Sequence, residues 1–200
     1  MTTRDSETRE AAGATSLPNL LTYGRILLVA VMVGAFYLEG DFARWTALSI
    51  FAVAGATDFF DGYLARAWAQ QSRLGQMLDP IADKLLVAVA LILLVAWETI
   101  SGITLIPAIV ILCREILVSG LREFLATAKV SVPVSVLAKW KTTLQMFALG
   151  FLLAGPAGDK VFELNTVVGE AGLWGAALLT LYTGYDYFRA GVRHAVDGTK

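Results

Sequence analysis

A bilayer-spanning helix needs about 20 largely apolar residues, and this chain of 200 residues reaches that length repeatedly, but almost never without a charge inside. From Thr142 to Gly158 the sequence is uncharged; its other long apolar stretches each contain or abut Arg, Lys, Asp or Glu. With 56% apolar residues, 16% charged residues and a mean hydropathy of +0.64, the chain is too apolar for a water-soluble globule. The charged stretches must therefore be spans as well. Helices are expected at about Leu20–Leu38, Trp45–Ala65, Ile81–Ile100, Thr104–Leu125, Lys141–Leu153 extended towards Gly158, and Val167–Phe188. Short connectors separate them, such as Glu39-Gly40-Asp41 and the Gly155-Pro156 stretch. The prediction is an all-α integral membrane protein of six transmembrane helices, with one domain over residues 17–190 and polar tails at 1–16 and 191–200.

Six spans put both termini on one side, and Lys and Arg concentrate in cytoplasmic loops. Of the 16 basic residues, only Arg44 and Lys160 fall opposite the termini, while Arg25 and Arg114 lie within spans. Both termini are therefore expected in the cytoplasm. Residues 1–16 hold no apolar core and read as a tail rather than a signal peptide. With 17 acidic residues against 16 basic ones, nothing points to a nucleic-acid partner. One cysteine, Cys113, excludes an internal disulfide, and with one histidine, His194, there are too few nitrogen and sulfur ligands for a zinc site. Cys113 is expected to pack in the apolar interior and His194 to lie on the surface.

Most of the awkward polar residues collect at the cytoplasmic ends of the expected helices. Asn19, Thr22 and Arg25 open the first, Asp58 and Asp61 close the second, and Asp79 and Asp83 open the third. Arg122 closes the fourth, Lys139 and Lys141 open the fifth, and Asp186 lies near the end of the sixth. Each ionisable group at membrane depth costs about 2.5–3.5 kcal/mol on insertion scales and usually faces a partner or a water-filled cavity. A polar cavity open to the cytoplasm follows. Snorkelling to the interface explains Lys84, Arg189 and Arg193 but not short aspartates.

The aspartates carry the chemistry. Asp58 and Asp61 stand at i and i+3, Asp79 and Asp83 at i and i+4, so each pair shares a helix face. Four converging carboxylates repel one another unless a cation neutralises them, and an all-oxygen set suits Mg²⁺, Mn²⁺ or Ca²⁺. Gly62, Ala65 and Gly75 fall at helical spacing from these aspartates and would let a bulky ligand approach. Arg66 is placed to grip phosphate oxygens. The blander alternative makes Asp79 an N-cap ahead of Pro80 and Asp58 and Asp61 plain interfacial residues.

The pattern D-x-x-D-G-x-x-A-R-x8-G-x-x-x-D-x-x-x-D, filled from Asp58 to Asp83 without departure, resembles the signature of the CDP-alcohol phosphatidyltransferases, and the similarity extends from about Leu17 to Phe188. The resemblance implies a homodimeric six-helix enzyme of the cell membrane, its active site facing the cytoplasm and holding divalent cations, Mg²⁺ or Mn²⁺, two per site. It implies that Asp58, Asp61 and Asp79 bind metal and the CDP-linked phosphates. Gly62, Ala65, Arg66 and Gly75 would line the nucleotide site, and Asp83 would serve as the base besides helping to hold the metal. Flanking stretches, among them Asn19-Leu-Leu-Thr22-Tyr-Gly-Arg25, Arg114-Glu115-Ile-Leu-Val-Ser-Gly-Leu-Arg122 and Lys139-Trp-Lys141, resemble members that use CDP-diacylglycerol as donor and glycerol 3-phosphate as acceptor, giving phosphatidylglycerophosphate and CMP.

A phosphorylated acceptor needs cations, and Arg114, Arg122, Lys139 and Lys141 are the candidates. Arg122 with Lys139 is favoured, since Glu115 or Glu123 could neutralise Arg114; anchoring at anionic lipid headgroups is the alternative for all four. Asn19, Thr22 and Arg25 form a polar stripe that either reaches the donor nucleotide or hydrogen-bonds between helices. Inositol phosphate, serine or phosphatidylglycerol as acceptor stays open. A cation-coupled transporter would also have intramembrane carboxylates, but it would show a midplane site shared between internal repeats, which this sequence lacks.

Overall fold

The computed structural model describes residues 17–68, 73–127 and 136–197, without the side chains of some residues near the ends of these segments. Among the described residues there are six α-helices and no strand. They are α1 (Leu17–Gly34), α2 (Gly40–Trp68), α3 (Arg73–Ala96), α4 (Leu105–Thr127), α5 (Val136–Asp159) and α6 (Asn165–Asp197), with short 3₁₀ turns at Ala35–Tyr37 and Gly102–Thr104. Six helices were expected, and each starts at or before its expected first residue except α4, which starts one residue later. The tail 1–16 lies outside the described residues, and α6 continues past 190 to Asp197.

Turn chemistry accounts for the breaks. Gly40, at φ +63°, takes the left-handed conformation that lets α2 begin there, and Asp41 in its first turn faces the positive end of the helix. Helix α3 ends with the Ile100 amide bonded six residues back to the Leu94 carbonyl, Glu98 at positive φ, and Ile100 buried beneath the turn. At the other end, α3 begins at Arg73, so Asp79 and Pro80 lie well inside it. The N-cap reading of Asp79 is thereby excluded.

The chain divides into two compact units, Met1–Leu93 and Leu94–Lys200. In the first, α1 packs on α2, and the buried face of α2 is the stripe Ala43, Ala47, Phe51 and Ala54. Three of those four side chains are methyl groups, which bring the helix backbones close where no water-driven collapse would.

In the second unit, α4 and α5 pack on α6. Helix α5 breaks at Gly155, whose φ of 45° and ψ of −129° are non-helical, immediately before Pro156. Carbonyls freed at the break are taken up by buried Asn165, whose Nδ2 donates to the Phe151 oxygen at 2.8 Å and the Gly155 oxygen at 3.1 Å. Gly158 must lack a side chain, because a Cβ there would stand 2.5 Å from Asn165 Cγ. Asp159 then accepts from the Thr166 amide at 2.9 Å and from its hydroxyl at 2.6 Å, tying the end of α5 to the first turn of α6. These bonds hold the Asp159 carboxyl below the ordinary carboxylate range.

Outward faces of the helices are apolar. Leu20, Leu27 and Val31 on α1, and Ile106, Ile109 and Ile116 on α4, are all half or more exposed. Cys113 lies on that α4 face, exposed rather than packed inside as expected, because its position falls in register with Ile106, Ile109 and Ile116. Segments Asn19–Tyr37 and Gly102–Thr127 are each long and apolar enough to cross a bilayer. Such surfaces suit lipid rather than water.

Candidate active site

Helix α1 places Asn19, Thr22 and Arg25 three residues apart, and all three are buried, Arg25 completely. A guanidinium without access to water is tolerated only if paired, and among the described residues Arg25 pairs with Asp58 and Asp83. Its Nη1 lies 2.8 Å from Asp58 Oδ1 on α2 and 2.8 Å from Asp83 Oδ1 on α3. One turn earlier on α1, the Thr22 hydroxyl donates to Asp79 Oδ1 at 2.5 Å. The polar stripe of α1 thus gathers three of the four predicted aspartates from two other helices. Thr22 and Arg25 thus hydrogen-bond between helices.

Burial is uneven across this group. Arg25 has no exposed surface, whereas the Asp58 and Asp83 side chains are 47% and 50% exposed. The carboxylates are reachable from outside while the guanidinium paired with both lies behind. Gly75 is buried one turn before Asp79. The side chains of Asp61, Ala65 and Arg66, and the surroundings of Gly62, lie outside the described residues, although the α2 backbone that carries them is helical.

The donor chemistry fits a hard divalent cation, since Asp58, Asp79 and Asp83 offer only oxygen. Among the described residues no group of three or more acidic, His or Cys side chains is yet arranged to hold one. Arg25 and Thr22 occupy carboxylate oxygens that such an ion would use. Asp58, Asp79 and Asp83, with Asp61 beside them in sequence, remain the residues able to take it.

The predicted cations belong to the second unit. Arg114 Nη2 donates to the Thr183 hydroxyl at 3.0 Å, and its Nη1 stands 3.8 Å from Glu115 Oε1. Gly184 leaves the Arg114 stem its space, since a Cβ there would lie 3.3 Å from Arg114 Cγ. Lys141 is buried and ion-paired to Glu115. Arg122 is exposed; its Nη2 donates to the Tyr187 hydroxyl at 3.2 Å, with the guanidinium 5.3 Å from the ring centroid. Glu115 therefore neutralises Lys141 most closely and Arg114 less so. The side chains of Lys139 and His194 lie outside the described residues.

Sequence reasoning missed several members of this cluster. Thr183 and Tyr187 stand one turn apart on α6 and are both buried; a Thr and a Tyr in an aromatic-rich segment carry no signal of their own. Gln145, one turn after Lys141, is buried with Oε1 making no hydrogen bond among the described residues, and so is the Thr180 hydroxyl. A glutamine inside the uncharged run Thr142–Gly158 was the signal that could have found the first.

Comparison with known proteins places these features in a family. The model of the family described as CDP-alcohol phosphatidyltransferase matches residues 15–182. A protein of Rickettsia felis named CDP-diacylglycerol–glycerol-3-phosphate 3-phosphatidyltransferase is 51% identical over 88% of this chain and 94% of its own length. Proteins of the same name from Pseudomonas fluorescens and Cereibacter sphaeroides are 44% and 39% identical, over 92% and 91% of this chain and 95% and 98% of theirs. Family model and relatives cover both the aspartates on α2 and α3 and the cations on α4 and α5, and the chain therefore belongs to the CDP-alcohol phosphatidyltransferase family.

Proposed function

We propose that this protein transfers the phosphatidyl group of CDP-diacylglycerol to a hydroxyl of glycerol 3-phosphate, releasing CMP and forming phosphatidylglycerophosphate, as the names of its relatives describe for them. The observation that carries the reading is the gathering of Asp58, Asp79 and Asp83, two of them open to ligand, around Thr22 and Arg25.

Asp58, Asp61, Asp79 and Asp83 are the residues that would hold two divalent cations, Mg²⁺ or Mn²⁺, which would supply positive charge to the diphosphate and to departing CMP. Gly62, Ala65 and Gly75 leave room for the nucleotide, and Arg66 grips its phosphate. Asp83 accepts the proton of the attacking hydroxyl, for which its carboxylate must come within hydrogen-bond reach of that oxygen. The hydroxyl oxygen forms its bond to phosphorus as the bond to the CMP oxygen breaks, in line, and no covalent enzyme intermediate is needed. Arg122 with Lys139 recognises the acceptor phosphate, supported by Arg114 and Lys141. Arg122 is exposed and its hydrogen bond is to a neutral phenol, whereas Lys141 already has a carboxylate partner.

The setting of this chemistry is a homodimer in the cell membrane. All six helices span, both termini are cytoplasmic, and the catalytic domain covers residues 17–190. Acyl chains of the donor stay in lipid while its cytidine diphosphate meets water at the cytoplasmic ends of the helices. The test is to give purified protein CDP-diacylglycerol with glycerol 3-phosphate, inositol phosphate, serine or phosphatidylglycerol, and to follow CMP release and lipid product. Glycerol 3-phosphate alone should support rapid release. Equal or faster turnover with another acceptor would reassign the substrate, and no release with any of them would remove the activity.

A further inference from the structure

The arginine behind the carboxylates does something that the reaction itself does not require. Arg25 is wholly buried, and a single nitrogen, Nη1, lies 2.8 Å from a carboxylate on each of two helices. Its partners Asp58 and Asp83 are about half exposed. The guanidinium is permanently charged, so one of the pair's two negative charges is balanced from the buried side before any cation arrives from the open side. A carboxylate oxygen bonded to a guanidinium is a weaker donor to a metal than an unbonded one, because both draw on the same negative charge. A divalent cation at Asp58 and Asp83 also meets a positive charge held within one side chain's length of them.

We propose that Arg25 is the resident counter-ion of this site: it holds Asp58 and Asp83 in place while no divalent cation is bound, and it sets cation affinity by competing for the same two carboxylates. The inference rests on the reading that these aspartates bind a divalent cation, and it concerns how tightly, not whether. Without Arg25, two carboxylates brought together by α2 and α3 would repel each other at low dielectric. With it, the helices stay assembled in the metal-free protein, at the expense of metal affinity. Thr22 donates to Asp79 in the same way, but as a neutral group it brings no positive charge to oppose the cation. Arg25 is on this account a positioning residue, making no contact with the reacting phosphorus.

A purely structural clamp and a competing counter-ion predict opposite changes in metal affinity when the charge is removed. Mn²⁺ binding to the full-length protein in detergent, with no lipid substrate present, is measured by electron paramagnetic resonance of free Mn²⁺ for wild type, Arg25→Gln and Arg25→Lys. The counter-ion predicts that Arg25→Gln binds Mn²⁺ about tenfold tighter or more, and that Arg25→Lys, which keeps the charge, stays near wild type. Thermal unfolding gives a second readout: metal-free Arg25→Gln melts lower than wild type, and Mn²⁺ raises its Tm by more than it raises the wild type's. Mn²⁺ binding that is unchanged or weaker in Arg25→Gln overturns the proposal while leaving the cation site intact. Absence of Mn²⁺ binding in wild type and both variants would remove the cation site itself, and this inference with it. Should Arg25→Gln fail to fold, the ¹⁵N side-chain resonance of Arg25 in wild type decides. Added Mg²⁺ should shift it as its bonds to Asp58 and Asp83 are given up, and a resonance indifferent to saturating Mg²⁺ overturns the proposal.

Discussion

Asp58, Asp79 and Asp83 differ in what they touch, and their variants should differ accordingly. Asp58→Asn, Asp61→Asn and Asp79→Asn should each abolish CMP release while the protein still accumulates in the membrane, and chelation should silence wild type; full turnover in chelator would take metal out of the mechanism. Asp83→Asn should slow the chemical step by about 10²–10⁴-fold with donor binding retained, as expected of a general base. Loss of nucleotide binding in that variant would make Asp83 chiefly a ligand. The acceptor residues make a separate prediction. Neutralising Arg122 or Lys139 should raise KM for glycerol 3-phosphate about ten- to a hundredfold, the worth of a charged hydrogen bond, and leave KM for CDP-diacylglycerol nearly unchanged. Equal losses for both substrates would assign these residues to lipid headgroups or to the fold. Glu115 sharpens the choice among the four cations: it binds Lys141 in an ion pair and lies near Arg114, so those two are partly spent on protein before a ligand arrives.

At the scale of elements, the junction of α5 and α6 is where a small change should matter most. Asn165→Ala leaves the Phe151 and Gly155 carbonyls without their donor and should destabilise the second unit by about 1–3 kcal/mol. Gly158→Ala should do comparable damage by steric conflict with Asn165. Both are read from thermal unfolding in detergent, and a wild-type Tm in either variant would contradict the packing described. Asp159 adds a dependence on pH. Its carboxyl is held low by Thr166, so it binds a proton less readily folded than unfolded. Its stabilisation is complete above the unfolded value of about 3.9 and disappears as pH falls through the lower folded one. Wild type should therefore exceed Asp159→Asn in Tm at pH 7, and the gap should close below about pH 4; a gap that persists in acid would mean the carboxylate charge is not its source.

For the whole molecule, the six-span reading makes a prediction about sides. In a Cys113→Ala background, Glu39→Cys or Lys160→Cys should react in intact cells with a membrane-impermeant thiol reagent, whereas Ser6→Cys and Thr199→Cys should react only after lysis. Labelling of Ser6→Cys in intact cells would invert the topology and place the aspartates on the wrong side for a cytoplasmic nucleotide. The exposed apolar faces of α1 and α4 are what such a chain turns towards lipid, and charges that composition alone made puzzling are accommodated in pairs across helices.

The number of helices, their approximate places and the pairing of aspartates on a helix face were legible in the sequence, because each depends on residues a few positions apart. Apolar length marks a span, glycine marks a turn, and i, i+3 or i, i+4 spacing puts two carboxylates on one face. Helix ends were less legible: α3 begins at Arg73 rather than Ile81, since an amphipathic first turn adds polar residues that a search for apolar length discards. Which partners Arg25, Thr22 and Glu115 take could not be read. Arg25 meets Asp83 across 58 residues, Thr22 meets Asp79 across 57, and Lys141 meets Glu115 across 26. Periodicity states which face of a helix a side chain is on, but the partner of that face depends on how each helix is rotated and slid against its neighbours. Contacts such as the alanine stripe of α2 set that register. The sequence by itself determined which charges the membrane must accommodate; only the tertiary structure decided which of them neutralise one another, because pairing is a property of register between helices and not of spacing within one.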